Sequence, residues 1–339
     1  MKIAIIGAGA IGGLVGARLA LAGEEVTFLV RGANLTAIRD QGISLVEHDG
    51  TRHVARNVKA TNDYRAAGVQ DVVVLGMKAH QVAAVLDDLQ FLIGPETLVV
   101  PMQNGIPFWY FHGHGGHLAG STLQTVDPGG LIGRAIEAER VIGCVVYPAS
   151  ELVAPGVIQH IEGDRFPLGE LNGRSTERVL ALSRAFTNAG FKAPVLEDIR
   201  AEIWLKLWGN LTFNPISALS HATLEDICRF PPSRELAASM MGEAHAIATK
   251  LGITFRVTLE KRIAGAEKVG RHKTSMLQDV EAGRAPEIDA LVGSVVEIAR
   301  LTQTATPHID AVHTLMKLLA LMMERECGQV SLRPLPLAA

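Results

Sequence analysis

The chain lacks a cysteine framework, a long basic run and a long apolar segment. Its three cysteines, Cys144, Cys228 and Cys327, are widely spaced and form no C-x-x-C pair, which argues against a disulfide scaffold and against a zinc site. The net charge of −3, without a basic run, offers no surface suited to nucleic acid or to an anionic membrane. Glycines interrupt the apolar start of the chain too often for a signal peptide, and no apolar run of about 18 residues occurs. We therefore expect a soluble, cytoplasmic protein.

The predicted elements change in type partway along the chain, whose 339 residues are enough for two domains. The first part alternates buried apolar strands with helices, as expected of a parallel sheet covered on both faces. Its strands are predicted at residues 2–6, 25–30, 71–76, 97–102, 141–147 and 157–161, and its helices at 10–22, 79–90 and 176–189. From about residue 197 only helical periodicity remains, and helices are predicted at 197–214, 233–251, 255–282, 286–303 and 308–326.

The fold class that follows is α/β, with an N-terminal parallel-sheet domain and an all-α C-terminal domain. We predict the first domain over residues 1–195 and the second over residues 196–328, with the boundary inside residues 193–197. Residues 329–339 have too little apolar periodicity to be more than a tail.

A glycine-rich turn directly after the first strand indicates a bound dinucleotide. The motif G-x-G-x-x-G consists of Gly7, Ala8, Gly9, Ala10, Ile11 and Gly12, and it opens a helix. Its glycines allow a tight turn, backbone approach to the pyrophosphate and close packing of helix on strand. The pyrophosphate would lie at the helix N-terminus, where N–H groups favour an anion. The sequence therefore predicts a Rossmann-type domain rather than a plain glycine-rich turn.

The ends of the next strands bear on which dinucleotide is bound and where. An NAD site usually has an acid after the second strand, whereas this chain has Arg31 there. A guanidinium suits a 2′-phosphate, so NADP is predicted. Lys78 and Asn104 follow the third and fourth strands, at the edge where open α/β sheets bind ligands. Polar residues in loops are often merely solvated, so neither position alone distinguishes a ligand-binding residue from a solvated one.

One predicted helix carries a polar stripe on an otherwise apolar surface. Lys206, Asn210 and Asn214 fall within about 80° of one another on a helical wheel. The other positions are Ile203, Trp204, Leu205, Leu207, Trp208, Leu211 and Phe213. Burying an ammonium and two amides is costly unless a polar group meets them, and a bound substrate is one such group. The alternative is that Lys206 pairs with Glu202 and the asparagines satisfy backbone groups.

Four separated blocks of the chain carry a family resemblance that covers most of residues 1–325. They are IIGAGAIGG with Arg31, LGMKAHQV around Lys78, RAEIWLKLWGNLTFNPISAL around Lys206, and SMLQDVEAGRAPEID, which contains Ser275 and Glu287. The chain resembles the ketopantoate reductase family, or 2-dehydropantoate 2-reductases. The resemblance implies NADPH-dependent reduction of a 2-keto acid to a 2-hydroxy acid, with ketopantoate reduced to pantoate as the leading reaction.

The same resemblance assigns roles to individual residues. Lys206 matches the family's catalytic lysine, which binds the keto oxygen and supplies a proton. Asn210 and Asn214 match its substrate-contacting asparagines, and Ser275 matches the serine that meets the substrate carboxylate. The residues expected at the nicotinamide-ribose end and the adjoining substrate site are Lys78, Asn104 and Glu287. A cation at the keto oxygen is chemically apt, because hydride delivery to a ketone builds negative charge there.

Two segments depart from the family pattern. Residues 105–119 contain aromatics at 108–111 and histidines at 112, 114 and 117, and we expect this loop to line or cover the substrate pocket. Scattered histidines are common in loops, so no metal site is predicted. The segment around Leu224 lacks an asparagine that the family often uses against substrate. These departures leave the substrate open.

The alternatives are therefore a related 2-hydroxy-acid dehydrogenase for a bulkier or aromatic keto acid, and an NADP-binding sensor without catalysis. The expected partner is a small-molecule 2-keto acid, with neither nucleic acid nor membrane. The chain is expected to be a monomer or a homodimer. The Leu- and Met-rich helix 308–326 is interpreted as part of the helical core, with a dimer interface as the alternative.

Overall fold

A computed structural model describes residues 1–332, which form two units. The first unit comprises Met1–Thr122 and Asp127–Glu202, and the second comprises Leu123–Val126 and the chain from Ile203 onward. The predicted tail, residues 329–339, lies mostly outside the described residues. Within residues 1–332, no helix has both the length and the apolar character needed to cross a bilayer.

The strands of the described residues all belong to the first unit. They are β1 (Lys2–Ile6), β2 (Glu25–Leu29), β3 (Ile43–Val46), β4 (Arg52–Ala55), β5 (Val58–Thr61), β6 (Val72–Leu75), β7 (Leu98–Pro101), β8 (Ile142–Cys144), β9 (Ala149–Ala154), β10 (Val157–Glu162) and β11 (Leu168–Glu170). The main sheet is five-stranded and parallel, in the order β5-β2-β1-β6-β7. The continuous apolar runs in β1, β6 and β7 are explained by this sheet, which buries them on both faces.

A second sheet was not apparent in the sequence pattern. Its strands have the order β4-β3-β10-β9 and mix parallel and antiparallel pairing, while β8 and β11 form a separate antiparallel pair. Leu14 and Ile158 are buried in the same apolar core as Ile5 of the main sheet. The helix that contains Leu14 therefore contributes to a core with residues from both sheets.

The helices are distributed over both units, and α7 begins in the first unit and continues into the second. They are α1 (Ala10–Leu21), α2 (Gly32–Gln41), α3 (Tyr64–Ala67), α4 (Leu86–Leu89), α5 (Leu131–Ala135), α6 (Glu177–Asn188), α7 (Ile199–Ser220), α8 (Leu224–Arg229), α9 (Pro231–Lys250), α10 (Leu259–Val269), α11 (Ser275–Glu281), α12 (Ser294–Leu301) and α13 (Pro307–Arg325). Shorter helical segments include a 3₁₀ turn at Ala79–Val85 and a π-helical turn at Asp289–Gly293.

Several predicted helices differ from the observed ones. The helix predicted at 79–90 is mostly the 3₁₀ turn. The helix predicted at 255–282 is interrupted after Val269, where Gly270 has a φ of +82° and ends α10. The helix predicted at 197–214 continues through Pro215 to Ser220. Apolar periodicity runs across such breaks and extensions, so it did not reveal them.

In the second unit, α7 is enclosed by apolar packing. Trp204, Trp208 and Leu211 are at most 1% exposed. The indole of Trp208 donates to the Met241 carbonyl at 2.7 Å, and its ring stacks on Phe255 with 4.1 Å between centroids. Strong packing on these faces fixes the rotation of α7 about its axis.

The outer face of α13 corrects the core interpretation of helix 308–326. Leu315, Leu318 and Leu321 are each more than half exposed, at 54%, 53% and 57%. Only one face of the helix is buried, through residues such as Met316 and Met323. The core interpretation therefore holds for that face alone.

Candidate active site

The glycine-rich turn between β1 and α1 is shaped by backbone alone. Gly7 has a φ of +92°, which disfavours other residues. A Cβ atom on Gly12 would lie 2.0 Å from the Gly7 carbonyl oxygen, so a side chain there would break the turn. A Cβ on Gly9 would meet nothing within 4 Å, which leaves room for a ligand to approach the backbone. The turn thus fits the pyrophosphate of a dinucleotide at the start of α1.

The carboxyl ends of β2, β6 and β7 carry the other predicted cofactor residues of the first unit. Arg31 follows β2, is exposed and caps the N-terminus of α2. Lys78 follows β6 as the cap of the 3₁₀ turn, and Asn104 follows β7. All three therefore lie along one edge of the main sheet, since its strands are parallel.

Gln103 is a supporting residue that the sequence analysis missed. Its side-chain amide donates to the carbonyls of Leu75 at 2.7 Å and Met77 at 3.0 Å, and so ties the end of β7 to the end of β6. Lys78 and Asn104 are the immediate chain neighbours of these tied positions. The sequence marks Gln103 only as a second amide side chain directly before Asn104.

In the second unit, the polar stripe of α7 lies among buried apolar side chains. Lys206 and Asn210 are half-buried, and Asn214 is 6% exposed. α7 is helical throughout this stretch, so the three side chains lie on one side of it. Such a stripe can meet a polar ligand with one ammonium and two amides.

The possible partner Glu202 is already charge-paired in the first unit. This residue is 3% exposed and accepts hydrogen bonds from Tyr147 Oη at 2.8 Å and from Arg165 Nη1. Burial, reinforced by the hydrogen bond to Glu202, raises the pKa of Tyr147 well above its ordinary value. Arg165 therefore supplies a charge that compensates Glu202.

Ser275 and Glu287 lie on either side of a helix–loop turn. Ser275 is exposed as the first residue of α11, behind the cap Thr274, whose hydroxyl accepts from the Leu277 N–H at 3.3 Å. Glu287 is half-buried and precedes the π-helical turn by two residues. Turns of this kind occur frequently at functional sites.

The first part of the loop 105–119 packs into the first unit, whereas residues 112–117 are mostly exposed. Trp109, Tyr110 and Phe111 are 3%, 0% and 1% exposed. The Arg200 guanidinium donates from Nε to the Tyr110 carbonyl at 2.8 Å and from Nη2 to the His112 carbonyl. The interpretation of this loop as a pocket wall or lid is therefore wrong for the three buried aromatics, because they fill the core.

One group of potential metal ligands occurs among residues 1–332, and it is not in the histidine loop. It consists of Glu47, His48 and His160. The Arg18 guanidinium bonds Glu47 at 2.7 Å and lies 3.2 Å from His160 Nδ1. Burial raises the pKa of Glu47, but hydrogen bonds from Arg18 and His160 outweigh it and leave that pKa below its ordinary value. The Arg18 guanidinium thus lies where a metal ion would bind, and the group is an ion-pair network.

The glycine turn after β1 and the five-stranded parallel sheet define a Rossmann-type dinucleotide-binding fold as the class of protein. The profile of the family "Ketopantoate reductase PanE/ApbA" matches residues 3–173, and that of "Ketopantoate reductase PanE/ApbA C terminal" matches residues 198–320. The chain belongs to the ketopantoate reductase family, and its predicted fold class and enzyme class are confirmed.

Individual relatives cover nearly the whole chain. It is 53% identical over 328 residues to the 2-dehydropantoate 2-reductase of Mesorhizobium japonicum, across 96% of this chain and 99% of that one. A crystal structure from Ralstonia solanacearum MolK2, assigned to the ketopantoate reductases, has a TM-score of 0.90 at 43% identity and covers 95% of this chain and 98% of its own. The 2-dehydropantoate 2-reductase of Geobacter metallireducens GS-15 has a TM-score of 0.82 at 27% identity, covering 94% and 99%.

Proposed function

We propose that this protein reduces a 2-keto acid to the 2-hydroxy acid with NADPH, and that 2-dehydropantoate is the substrate and pantoate the product. The observation that carries the proposal is the stripe of Lys206, Asn210 and Asn214 on a helix whose other faces are tightly packed. The name of the Mesorhizobium relative, which is 53% identical over 328 residues, favours this substrate.

The first unit's part in the proposal is to bind the cofactor. The turn formed by Gly7, Ala8, Gly9, Ala10, Ile11 and Gly12 binds the pyrophosphate through backbone N–H groups. Arg31 binds the 2′-phosphate and so selects NADP, because a guanidinium offers paired donors to phosphate. Lys78 and Asn104 bind the nicotinamide-ribose end, and the cofactor supplies the hydride when bound. Glu287, a residue of the second unit, is assigned to the same end by the family resemblance alone.

The second unit's part is to bind the keto acid and manage its proton. As the keto carbon accepts hydride, its oxygen becomes negative, and the Lys206 ammonium stabilises that charge and donates a proton. Lysine is protonated at neutral pH unless strongly perturbed, so it can fill both roles. Asn210, Asn214 and Asn104 orient the substrate, and the Ser275 hydroxyl donates to its carboxylate. In domain terms, residues 1–195 bind the cofactor and residues 196–328 bind the substrate.

The test is the initial rate of NADPH oxidation with a panel of 2-keto acids that includes ketopantoate and benzoylformate. We expect rapid turnover with ketopantoate. Turnover only with bulkier or aromatic acids would support the proposed reaction but contradict 2-dehydropantoate as its substrate. Tight NADPH binding without turnover of any acid would favour an NADP-binding sensor and contradict the proposed reaction.

Assembly and location complete the proposal. We propose a monomer or a homodimer, which sedimentation velocity separates directly. The exposed leucines on α13 are the residues to substitute if a dimer is found. None of the three cysteines forms a disulfide, which is typical of a reducing compartment and favours the cytoplasm.

A further inference from the structure

A glycine lies inside α7, beside the polar stripe of Lys206, Asn210 and Asn214. Gly209 lies in the interior of α7, three residues after Lys206 and directly before Asn210. A Cβ atom built there would lie 2.5 Å from Nη2 and 3.2 Å from Cζ of Arg262. Alanine is the more stable residue in a helix interior, so this glycine has a cost. The cost is explained by the guanidinium of Arg262, which lies against the helix backbone at this point.

Packing within the second unit holds Arg262 in that position. It belongs to α10, which begins at the cap Thr258 and buries Ile263 and Ala266 to 2% and 7% exposure. Arg262 is half-buried beside this face, and its Nε atom is buried. The segment before α10 is fixed by Phe255, which stacks on Trp208 of α7. Arg262 is therefore placed by the same contacts that orient the stripe.

We propose that Arg262 binds the carboxylate of the 2-keto acid, an inference that rests on the proposed function. A 2-keto acid presents two oxygen-bearing carbons side by side, and Lys206 is assigned to only one of them. Gly209 follows Lys206 by about 4.5 Å along the helix axis, which matches the spacing of neighbouring polar groups on one small substrate. A guanidinium binds a carboxylate through two parallel N–H groups, and neither an asparagine nor the Ser275 hydroxyl supplies the charge.

The first experiment removes the charge of Arg262 and measures whether the loss of activity depends on the substrate carboxylate. Arg262→Met is compared with wild type on a 2-keto acid and on its methyl ester, which lacks the anion. We expect kcat/KM for the acid to fall roughly 10- to 100-fold, as for a lost charged hydrogen bond. The ester should change little, the KM for NADPH should stay unchanged, and Arg262→Lys should restore part of the activity.

The second experiment displaces the guanidinium without removing it. Gly209→Ala places a methyl group where the tip of Arg262 lies, and that tip can move because its side chain is flexible. We expect a raised KM for the acid together with an unchanged or higher melting temperature. The matched control is Gly265→Ala in α10, where a Cβ would meet nothing within 4 Å. In the double variant Gly209→Ala/Arg262→Met, the alanine should add nothing to the effect of the methionine.

The outcomes separate the proposal from its alternatives. Equal losses on acid and ester, or an unchanged KM for the acid in both single variants, would overturn the carboxylate role and leave Arg262 as a packing residue. Wild-type protein that reduces no 2-keto acid would overturn the proposed function itself. If the wild type is active and the Arg262 variants keep its kinetic constants, only the inference about Arg262 is overturned.

Discussion

The two units present their predicted ligand groups in different ways. The first offers backbone at the turn from Gly7 to Gly12, which has no polar side chain, and single side chains such as Arg31 at the strand ends. The second offers side chains, with Lys206, Asn210 and Asn214 on one helix. A backbone site is encoded in a few consecutive residues, whereas a side-chain site depends on how a helix is rotated and packed. This difference gives distinct expectations for substitutions in each unit.

The largest effect is expected in the second unit. Lys206→Ala should lower kcat for a 2-keto acid about 100- to 1000-fold, the usual loss when a group that stabilises a developing oxyanion is removed. Steady-state kinetics at saturating NADPH measure it. Lys268→Ala, at the exposed end of α10, is the matched control and should leave kcat unchanged. A near-wild-type kcat in Lys206→Ala would remove this lysine from the chemistry.

A smaller, cofactor-specific effect is expected in the first unit. Arg31→Ala should lower kcat/KM for NADPH about tenfold or more and leave that for NADH nearly unchanged, because only NADPH carries the 2′-phosphate. Arg39→Ala, also on α2 and exposed, serves as the control. Equal losses of kcat/KM for NADPH and NADH would show that Arg31 does not bind the 2′-phosphate.

The smallest effect concerns stability alone. Glu47→Gln should weaken its bonds to Arg18 and His160 and lower the free energy of unfolding by about 1–3 kcal/mol, without changing kcat. The folded pKa of Glu47 is depressed, so its contribution is present above the ordinary pKa of 4.5 and is lost as the pH falls through the folded value. Denaturant unfolding at pH 7 and pH 3.5 measures this, and the difference between wild type and variant should shrink at the lower pH.

The control for that measurement is Glu25→Gln. Glu25 pairs with Lys59 at 2.9 Å on the surface, where an ion pair contributes little. No measurable change is expected. A loss as large as that of Glu47→Gln would mean that the buried network has no special weight.

Most of the main sheet was predictable from sequence, because four of its five strands are buried along most of their length. The edge strand β5 is only half-buried and was not predicted. β1, β2, β6 and β7 appear as apolar runs separated by helical segments, and the glycine motif marks the first turn. The second sheet was not predictable, since β3 and β4 have only four residues each and β9 is mostly exposed. The π-helical turn at Asp289–Gly293 was also missed, because a single wide turn leaves the apolar periodicity almost intact.

For the candidate site, the family resemblance assigns roles to individual residues, and these assignments stay predictions. The stripe on α7 follows from helical periodicity, but its chemical role came from the resemblance. Gln103 and Arg262 act through contacts with residues distant in sequence, so no local pattern revealed them. The one local signal for Arg262 was Gly209, a glycine in the interior of a long predicted helix.

A fluorescence titration of NADPH into wild type, Arg31→Ala and Lys206→Ala tests the division of roles between the units. The Kd for NADPH should rise about tenfold in Arg31→Ala and stay unchanged in Lys206→Ala. Equal weakening in the two variants, or weakening in Lys206→Ala alone, would contradict the assignment of cofactor binding to the first unit and proton donation to the second.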